Sequence, residues 1–186
     1  REVDAITSAT SRPNQVSCNG RIVLPPQRQA TVALTIGGVI KNTSLLPGQH
    51  VTKNSVIATL ENPEFITLQQ TYLDSHAQTE YLRMEYERQK NLSAEQAASQ
   101  KKFQQSKADY LSMKSRQDAA AAQLSLLGVN PETLLRDGIQ PLLEVKAPIS
   151  GYVVNVAMNM GKYINPGEAL CEVIDKSAPM LCLTTY

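Results

Sequence analysis

The amino-acid sequence predicts an α+β protein in which a duplicated β unit is interrupted by a long antiparallel α-helical hairpin. The chain has 9 Gly and 10 Pro among 186 residues, yet none of them falls within residues 64–127, which predicts a long regular element there. Short β-branched runs separated by turn residues lie on both sides of this stretch. The two flanking regions also superpose on each other after a shift of 113 residues, which indicates an internal repeat.

The two ends of the chain predict a separate, incomplete β region. Residues 1–15 are polar and patternless, and we interpret them as a tail or linker. The next residues alternate up to Pro25-Pro26, a pattern typical of a short strand followed by a break. We expect residues 16–28 and 177–186 to supply strands of a partial β-barrel that lie beside each other and cannot close within this sequence. A start at Arg1, without Met or a signal peptide, indicates a fragment from which any anchor has been removed.

Residues 29–61 and 142–176 are the two copies of the repeat. Each copy has turn residues between strand-like runs, and four strands are too few to bury a face alone. We therefore expect the two halves to pack on each other as one flattened barrel. Five glycines are predicted to form structural turns of the repeat, and among them Gly48 and Gly161 are expected to take positive φ. The five are Gly38, Gly48, Gly151, Gly161 and Gly167.

Residues 62–128 are predicted to form the hairpin. Asn62 can cap the first helix, with Pro63 at its first position, and Gly128 can end the second. Ser93 and Gln96 have the spacing of a capping box, which predicts a turn near residues 91–93. Residues 129–141 remain as a connector with a short helix capped by Asn130. Heptad spacing predicts two packing seams, which are Leu68, Tyr72, Ser75, Thr79, Leu82, Tyr86 and Gln89, and then Ser99, Phe103, Ser106, Tyr110, Met113, Gln117, Ala120, Leu124 and Leu127.

The composition excludes several classes of function. Lys and Arg number 18 against 17 Asp and Glu, so the chain lacks the excess of basic residues that a nucleic-acid partner needs. No apolar run approaches the roughly 20 residues of a membrane span. His50 and His76 stand alone, without paired carboxylates or a nucleophile motif, so we expect no enzyme activity and no cofactor. Three cysteines without CxxC spacing indicate neither a disulfide framework nor a zinc site; we interpret Cys171 and Cys182 as small strand residues, and the third is Cys18.

Two matching segments of the repeat resemble the periplasmic adaptor, or membrane fusion protein, family of tripartite efflux pumps, also called HlyD-like. The segments are Gly48-Gln49-His50-Val51 and Gly161-Lys162-Tyr163-Ile164, the second followed by Pro166-Gly167. The resemblance covers residues 16–186. It implies a lipoyl-like, or barrel-sandwich hybrid, β domain that is split by the coiled-coil hairpin. The chain departs from the family where Gln49 and Lys162 replace a frequent Asp, and where Asn54 replaces a further Gly.

A second signature lies on the predicted hairpin turn. Members of the family that dock onto TolC-type channels have Arg-x3-Leu-x6-Ser, and this chain has Arg88, Leu92 and Ser99 at those spacings. The resemblance implies that these three residues bind an outer-membrane channel. An arginine can donate several hydrogen bonds to carbonyl groups of a partner helix, while a leucine can fill an apolar groove. The alternative is that Arg88 is an ordinary solvated charge and Leu92 a residue at the end of the seam.

The resemblance implies a non-catalytic adaptor that is periplasmic and peripheral to the inner membrane. Its partners would be an inner-membrane transporter, of the resistance-nodulation-division (RND) type, and a TolC-type outer-membrane channel, with self-association into a ring. Three alternatives stay open. They are an adaptor of an ABC-type exporter, a lipoyl or biotinyl carrier, and a structural coiled-coil protein. The carrier is disfavoured because helical residues occupy the place where a carrier presents its modified lysine, and because Asn159 replaces the lysine in Ala157-Met158-Asn159-Met160.

Met158 and Met160 are the only metal candidates that the sequence offers. Two thioethers on the same side of a strand would suit a soft ion such as Cu(I) or Ag(I). A core or gap-filling role is commoner for methionine. We therefore predict no metal site.

Overall fold

The computed structural model of the chain describes residues 19–95, 100–177 and 179–184. These residues form ten strands, three helices and a short 3-10 turn at Pro26–Arg28. The strands are β1 (Asn19–Val23), β2 (Gln29–Ala33), β3 (Gly38–Thr43), β4 (His50–Val51), β5 (Val56–Glu61), β6 (Leu143–Lys146), β7 (Gly151–Val154), β8 (Tyr163–Ile164), β9 (Ala169–Ile174) and β10 (Met180–Thr184). The helices are α1 (Pro63–Glu95), α2 (Gln100–Leu126) and α3 (Pro131–Asp137).

The β domain consists of two four-stranded antiparallel sheets. Their strand orders are β2-β9-β7-β4 and β6-β5-β3-β8. Each sheet takes two strands from the first copy of the repeat and two from the second. The two halves therefore interleave, and neither half forms a sheet of its own. The α+β fold class predicted from the sequence, a split β domain interrupted by a helical hairpin, is confirmed.

The internal repeat is visible in the hydrogen bonds as well as in the sequence. Strands β3, β4 and β5 become β7, β8 and β9 after the same shift of 113 residues. The backbone N–H of Gly48 donates to the carbonyl of Val153 at 2.7 Å, and the N–H of Gly161 donates to the carbonyl of Ile40 at 2.8 Å. These two bonds are equivalent under the shift. The halves are thus related by an approximate two-fold axis, and each half satisfies backbone groups of the other.

The core of the β domain is aliphatic. The side chains that fill it come from both copies of the repeat and are at most 2% exposed: Ile40, Ile57, Leu60, Leu143, Val145, Val153, Ile164, Leu170 and Val173. Burying one such side chain contributes roughly 1.5–3 kcal/mol. Because each copy supplies part of this set, neither copy can bury its apolar face alone.

The hairpin is an antiparallel pair of long helices. Tyr86 of α1 stacks on Phe103 and Tyr110 of α2, with ring centroids 5.6 and 5.7 Å apart. Nearer the β domain, Gln117 of α2 is 3.1 Å from His76 Nδ1 of α1. The predicted seam residues within the described part of the chain are all buried or half-buried. The coiled-coil hairpin is therefore confirmed, with a seam that is polar in part, since Ser75, Thr79, Gln89 and Ser106 are among its buried members.

Both ends of the hairpin are fixed at the β domain by local sequence. The Asn62 side chain accepts a hydrogen bond from the Glu64 N–H at 2.7 Å and donates one to the Gly37 carbonyl at 2.6 Å, so it caps α1 and also ties the helix start to the segment before β3. Gly128 ends α2 at φ 77°. The N–H of Val129 then donates to the Leu124 carbonyl at 3.0 Å, as in a Schellman motif.

The turn predicted near residues 91–93 is wrong. Helix α1 continues to Glu95, and α2 begins at Gln100. Ser93 does not cap a helix, because its hydroxyl donates to the Lys90 carbonyl one turn earlier, at 3.0 Å. Residues 91–95 contain no Gly or Pro, and a serine inside a helix can bond the carbonyl of the preceding turn in this way. The link between the helices, including Gln96 of the predicted capping box, lies outside the described residues.

The remaining elements lie at the ends of the β domain. Strands β1 and β10 pair antiparallel as a two-stranded ribbon, with Arg21 opposite Cys182; that they belong to a β-barrel stays a prediction. Helix α3 begins as predicted, since the Asn130 side chain accepts from the Glu132 N–H at 3.0 Å. Among the described helices, none combines the length and apolar character needed to cross a membrane.

Candidate docking site

Arg88 and Leu92 lie on the same side of α1, one turn apart, near the end of the hairpin that is remote from the β domain. At 100° per residue they are about 40° apart around the helix. The Arg88 side chain is 65% exposed, and Leu92 is 46% exposed. Ser99, the third predicted docking residue, lies outside the described residues.

The Arg88 guanidinium is held by a carboxylate on its own helix. Its Nε and Nη2 atoms donate to the two oxygens of Glu85 at 2.7 to 3.0 Å. Glu85 also accepts a hydrogen bond from Gln89 Nε2 at 2.9 Å. The pKa of Glu85 is lowered, first by the hydrogen bond from Gln89 and then by the Arg88 side chain. Glu85 thus stays ionised at neutral pH and keeps Arg88 in place.

Sequence reasoning missed Glu85, although the Glu-x-x-Arg spacing was a usable signal. It also missed two large apolar side chains on the same face of the helix. Tyr81 and Met84 are each 64% exposed, and both lie within about 40° of Arg88 around the axis. This face of α1 carries a polar centre flanked by exposed apolar residues, which is a composition typical of protein–protein contacts.

Comparison with known proteins decides the family. The family model described as "CzcB-like, barrel-sandwich hybrid domain" matches residues 28–175, well over half of the chain. The chain belongs to this CzcB-like family. A comparison with curated protein sequences found no match. The family and the two interleaved sheets confirm the adaptor, or membrane fusion protein, resemblance that the repeat motifs indicated.

Solved structures of other proteins share this fold. ZneB from Cupriavidus metallidurans is 25% identical, with a TM-score of 0.57, and the match covers 88% of this chain and 67% of ZneB. A MacA–MexA chimeric protein containing the Pseudomonas aeruginosa MexA α-hairpin domain is 21% identical, with a TM-score of 0.59, and the match covers 84% of this chain and 50% of the chimera. The second match shows the fold alone, and the chain spans only half of that protein's length.

Several turns of this CzcB-like domain contain residues in the left-handed backbone conformation. Gly48, Gly161 and Gly167 have φ values of 83°, 81° and 79°. Asn54 stands at the position equivalent to Gly167 and takes φ 68°. Asparagine tolerates this conformation better than most residues, so the departure from the family's Gly does not change the turn.

Gly38 and Gly151 were predicted as turn residues, and this prediction is wrong. They are the first residues of β3 and β7. An added Cβ would lie 2.7 Å from the Glu61 carbonyl oxygen at Gly38 and 2.5 Å from that of Ile174 at Gly151. Glycine is required at both positions because another strand's backbone passes too closely for a side chain.

Met158 and Met160 do not form the pair that was considered from the sequence. They lie in a loop between β7 and β8 and not on a strand, so residues two apart need not point to the same side. Met158 is buried at 6% exposure, whereas Met160 is 63% exposed. The described residues contain no cluster of three His, Cys, Asp or Glu side chains that could hold a metal ion. Met158 belongs to the core of the CzcB-like domain.

Cys171 is a buried thiol in β9. Burial, and to a smaller extent the neighbouring Glu172 charge, raises its pKa from 9.0 to about 11. Because the pKa is about two units higher than that of an ordinary thiol, the thiolate fraction at neutral pH is about a hundredfold lower. In a variant in which Cys18 and Cys182 are replaced by serine, we expect the native thiol to resist a disulfide reagent at pH 7.5 and to react fully in guanidinium. Rapid labelling of the native variant would contradict the buried position.

Proposed function

We propose that the chain is a non-catalytic adaptor of a tripartite efflux pump. Its hairpin contacts a TolC-type outer-membrane channel, and its β regions contact an inner-membrane transporter of the RND type from the periplasmic side. Several copies associate into a ring around the export path. Family membership supports the adaptor role, and the named partners rest on the resemblance carried by the hairpin residues.

The exposed Arg88–Leu92 pair is the observation that carries the channel contact. Both side chains are exposed near the far end of α1, and neither belongs to the buried core. A guanidinium and an apolar side chain that are both exposed to solvent contribute little to the stability of the fold. They are suited to a helical partner that offers carbonyl oxygens and an apolar groove.

Reversal of the Arg88 charge tests this proposal. Arg88→Asp replaces the guanidinium, a hydrogen-bond donor, by a carboxylate acceptor beside Glu85. We therefore expect the affinity for a purified TolC-type channel to fall at least about thirtyfold. This is the effect of losing an interface hot spot of about 2 kcal/mol. Affinity is measured by biolayer interferometry with the channel in detergent, and the fold by circular dichroism.

Arg83→Asp is the matched control. Arg83 lies on the same helix and pairs with Glu80 at three-residue spacing, at 3.1 Å, but it is about 140° around the axis from Arg88. We expect this variant to bind as the wild type does. Equal affinity of the Arg88→Asp variant and the wild type would contradict docking through this face.

A further inference from the structure

Three side chains at the end of α1 form a relay from the helix–helix interface to solvent. Gln89 is in the seam and only 9% exposed. It donates to Glu85, whose side chain is 28% exposed, and Glu85 accepts from Arg88, whose side chain is 65% exposed. Gln89 therefore fixes Glu85, and Glu85 fixes Arg88.

Glu85 leaves Arg88 with a defined set of free donors. A guanidinium has five N–H groups in one plane. Nε donates to Glu85 Oε2, and Nη2 contacts both Glu85 oxygens, at 2.7 to 3.0 Å, so Glu85 binds the Nε edge of the guanidinium. The two hydrogens on Nη1 have no acceptor among the described residues. They point away from Glu85 because the fork is rigid.

We propose that Glu85 is the positioning residue of the docking site, and that the Gln89–Glu85 contact holds the Arg88 guanidinium with its free Nη1 donors directed at the partner. The inference rests on the proposed function. A long side chain such as that of Arg88 loses rotamer freedom when a partner orders it. Ordering Arg88 before the encounter removes part of this cost from binding.

The relay also defines the chemistry of the partner atoms. The Arg88–Glu85 pair has no net charge, so it offers hydrogen-bond donors without a strong attraction for anions. Neutral acceptors, such as the free carbonyl oxygens at a helix C-terminus, can bind the free Nη1 donors while Glu85 remains in place. A carboxylate that bound the free Arg88 donors would also lie near the Glu85 carboxylate and would be repelled by it.

Glu85→Gln is the informative variant. The amide is nearly isosteric but loses the charge, and only one of its two terminal atoms can accept a hydrogen bond from Arg88. We expect about a three- to tenfold weaker affinity for the TolC-type channel, with an unchanged thermal midpoint. The control is Glu80→Gln, which removes the same charge from another pair at three-residue spacing on the same helix, Glu80 with Arg83 at 3.1 Å; Arg83 keeps a second partner in Glu87 at 3.2 Å. The control should bind as the wild type does.

A double-mutant cycle separates positioning from a direct contact. In an Arg88→Ala background, Glu85→Gln should have no further effect on affinity, because the group through which it acts is gone. An equal loss in both backgrounds, an unchanged affinity of the single variant, or a gain in affinity would each overturn the positioning role.

A measurement without the channel keeps the inference distinct from the proposed function. The NMR order parameter of the Arg88 Nε–Hε bond should be high in the wild type and should fall in the Glu85→Gln variant, with no change in the Glu80→Gln variant. A mobile Arg88 in the wild type would overturn the relay. If Arg88 is ordered by Glu85 but the wild type does not bind the channel, the proposed docking fails while the observed relay stands without a docking role.

Discussion

A Gly151→Ala variant is expected to lose about 3 kcal/mol or more of its free energy of unfolding. The added Cβ would lie 2.5 Å from the carbonyl oxygen of Ile174, 2.7 Å from its carbonyl carbon and 3.0 Å from the Asp175 nitrogen. All three are backbone atoms at the end of β9, so no rotamer change can relieve the overlap. Overpacking in a well-ordered region costs typically 1–3 kcal/mol and more where the backbone must move.

Gly48→Ala is the matched comparison because it separates space from conformation. A Cβ at Gly48 would meet no atom within 4 Å, but φ there is +83°. The expected cost is therefore only the left-handed penalty, about 1–2 kcal/mol. Urea unfolding followed by circular dichroism measures both variants. Equal losses would show that close backbone approach is not what requires Gly151.

The location of the hairpin and of the repeat could be predicted because their signals are local. Asn62 and Gly128 mark the two ends of the hairpin by capping chemistry that needs no tertiary information. The repeat follows from a constant offset along the chain. That each sheet takes strands from both halves could not be predicted. The alternation of apolar and polar residues along a strand defines which face is buried, but it does not define which strand lies beside it.

The errors share a physical cause, which is that they depend on context beyond the local pattern. Ser93 fits a capping box, but a hydroxyl can equally bond back into a continuing helix. Gly38 and Gly151 have a sequence typical of turns, whereas their glycine requirement comes from a strand distant in sequence. Glu85 was overlooked because a Glu three residues before an Arg is common on any solvated helix. Its role depends on the hydrogen bond that Gln89 donates to it, and the heptad spacing that placed Gln89 in the seam does not show where the Gln89 amide points.

A buried glutamine joins the hairpin to the connector, and its removal is expected to have the second large effect. Gln69 of α1 is fully buried. Its Nε2 donates to the carbonyl of Gln140 at 2.9 Å and to that of Phe65 at 3.2 Å. Its Oε1 accepts from the Gln140 N–H at 2.8 Å. The side chain thus satisfies both backbone groups of one connector residue just before β6.

Gln69→Leu should destabilise the chain by about 1–3 kcal/mol, because the N–H and carbonyl of Gln140 lose their partner in two part-buried hydrogen bonds and an unsatisfied buried group costs up to that amount. Gln70→Leu, the same substitution at the exposed neighbouring position, should change stability by no more than about 0.5 kcal/mol. Chemical denaturation gives the difference, and hydrogen exchange of the Gln140 amide locates it. If Gln69→Leu were as stable as Gln70→Leu, the connector would not depend on this contact. A large loss with rapid Gln140 exchange would show that α1 is attached to the β domain through Gln69 as well as through its cap at Asn62.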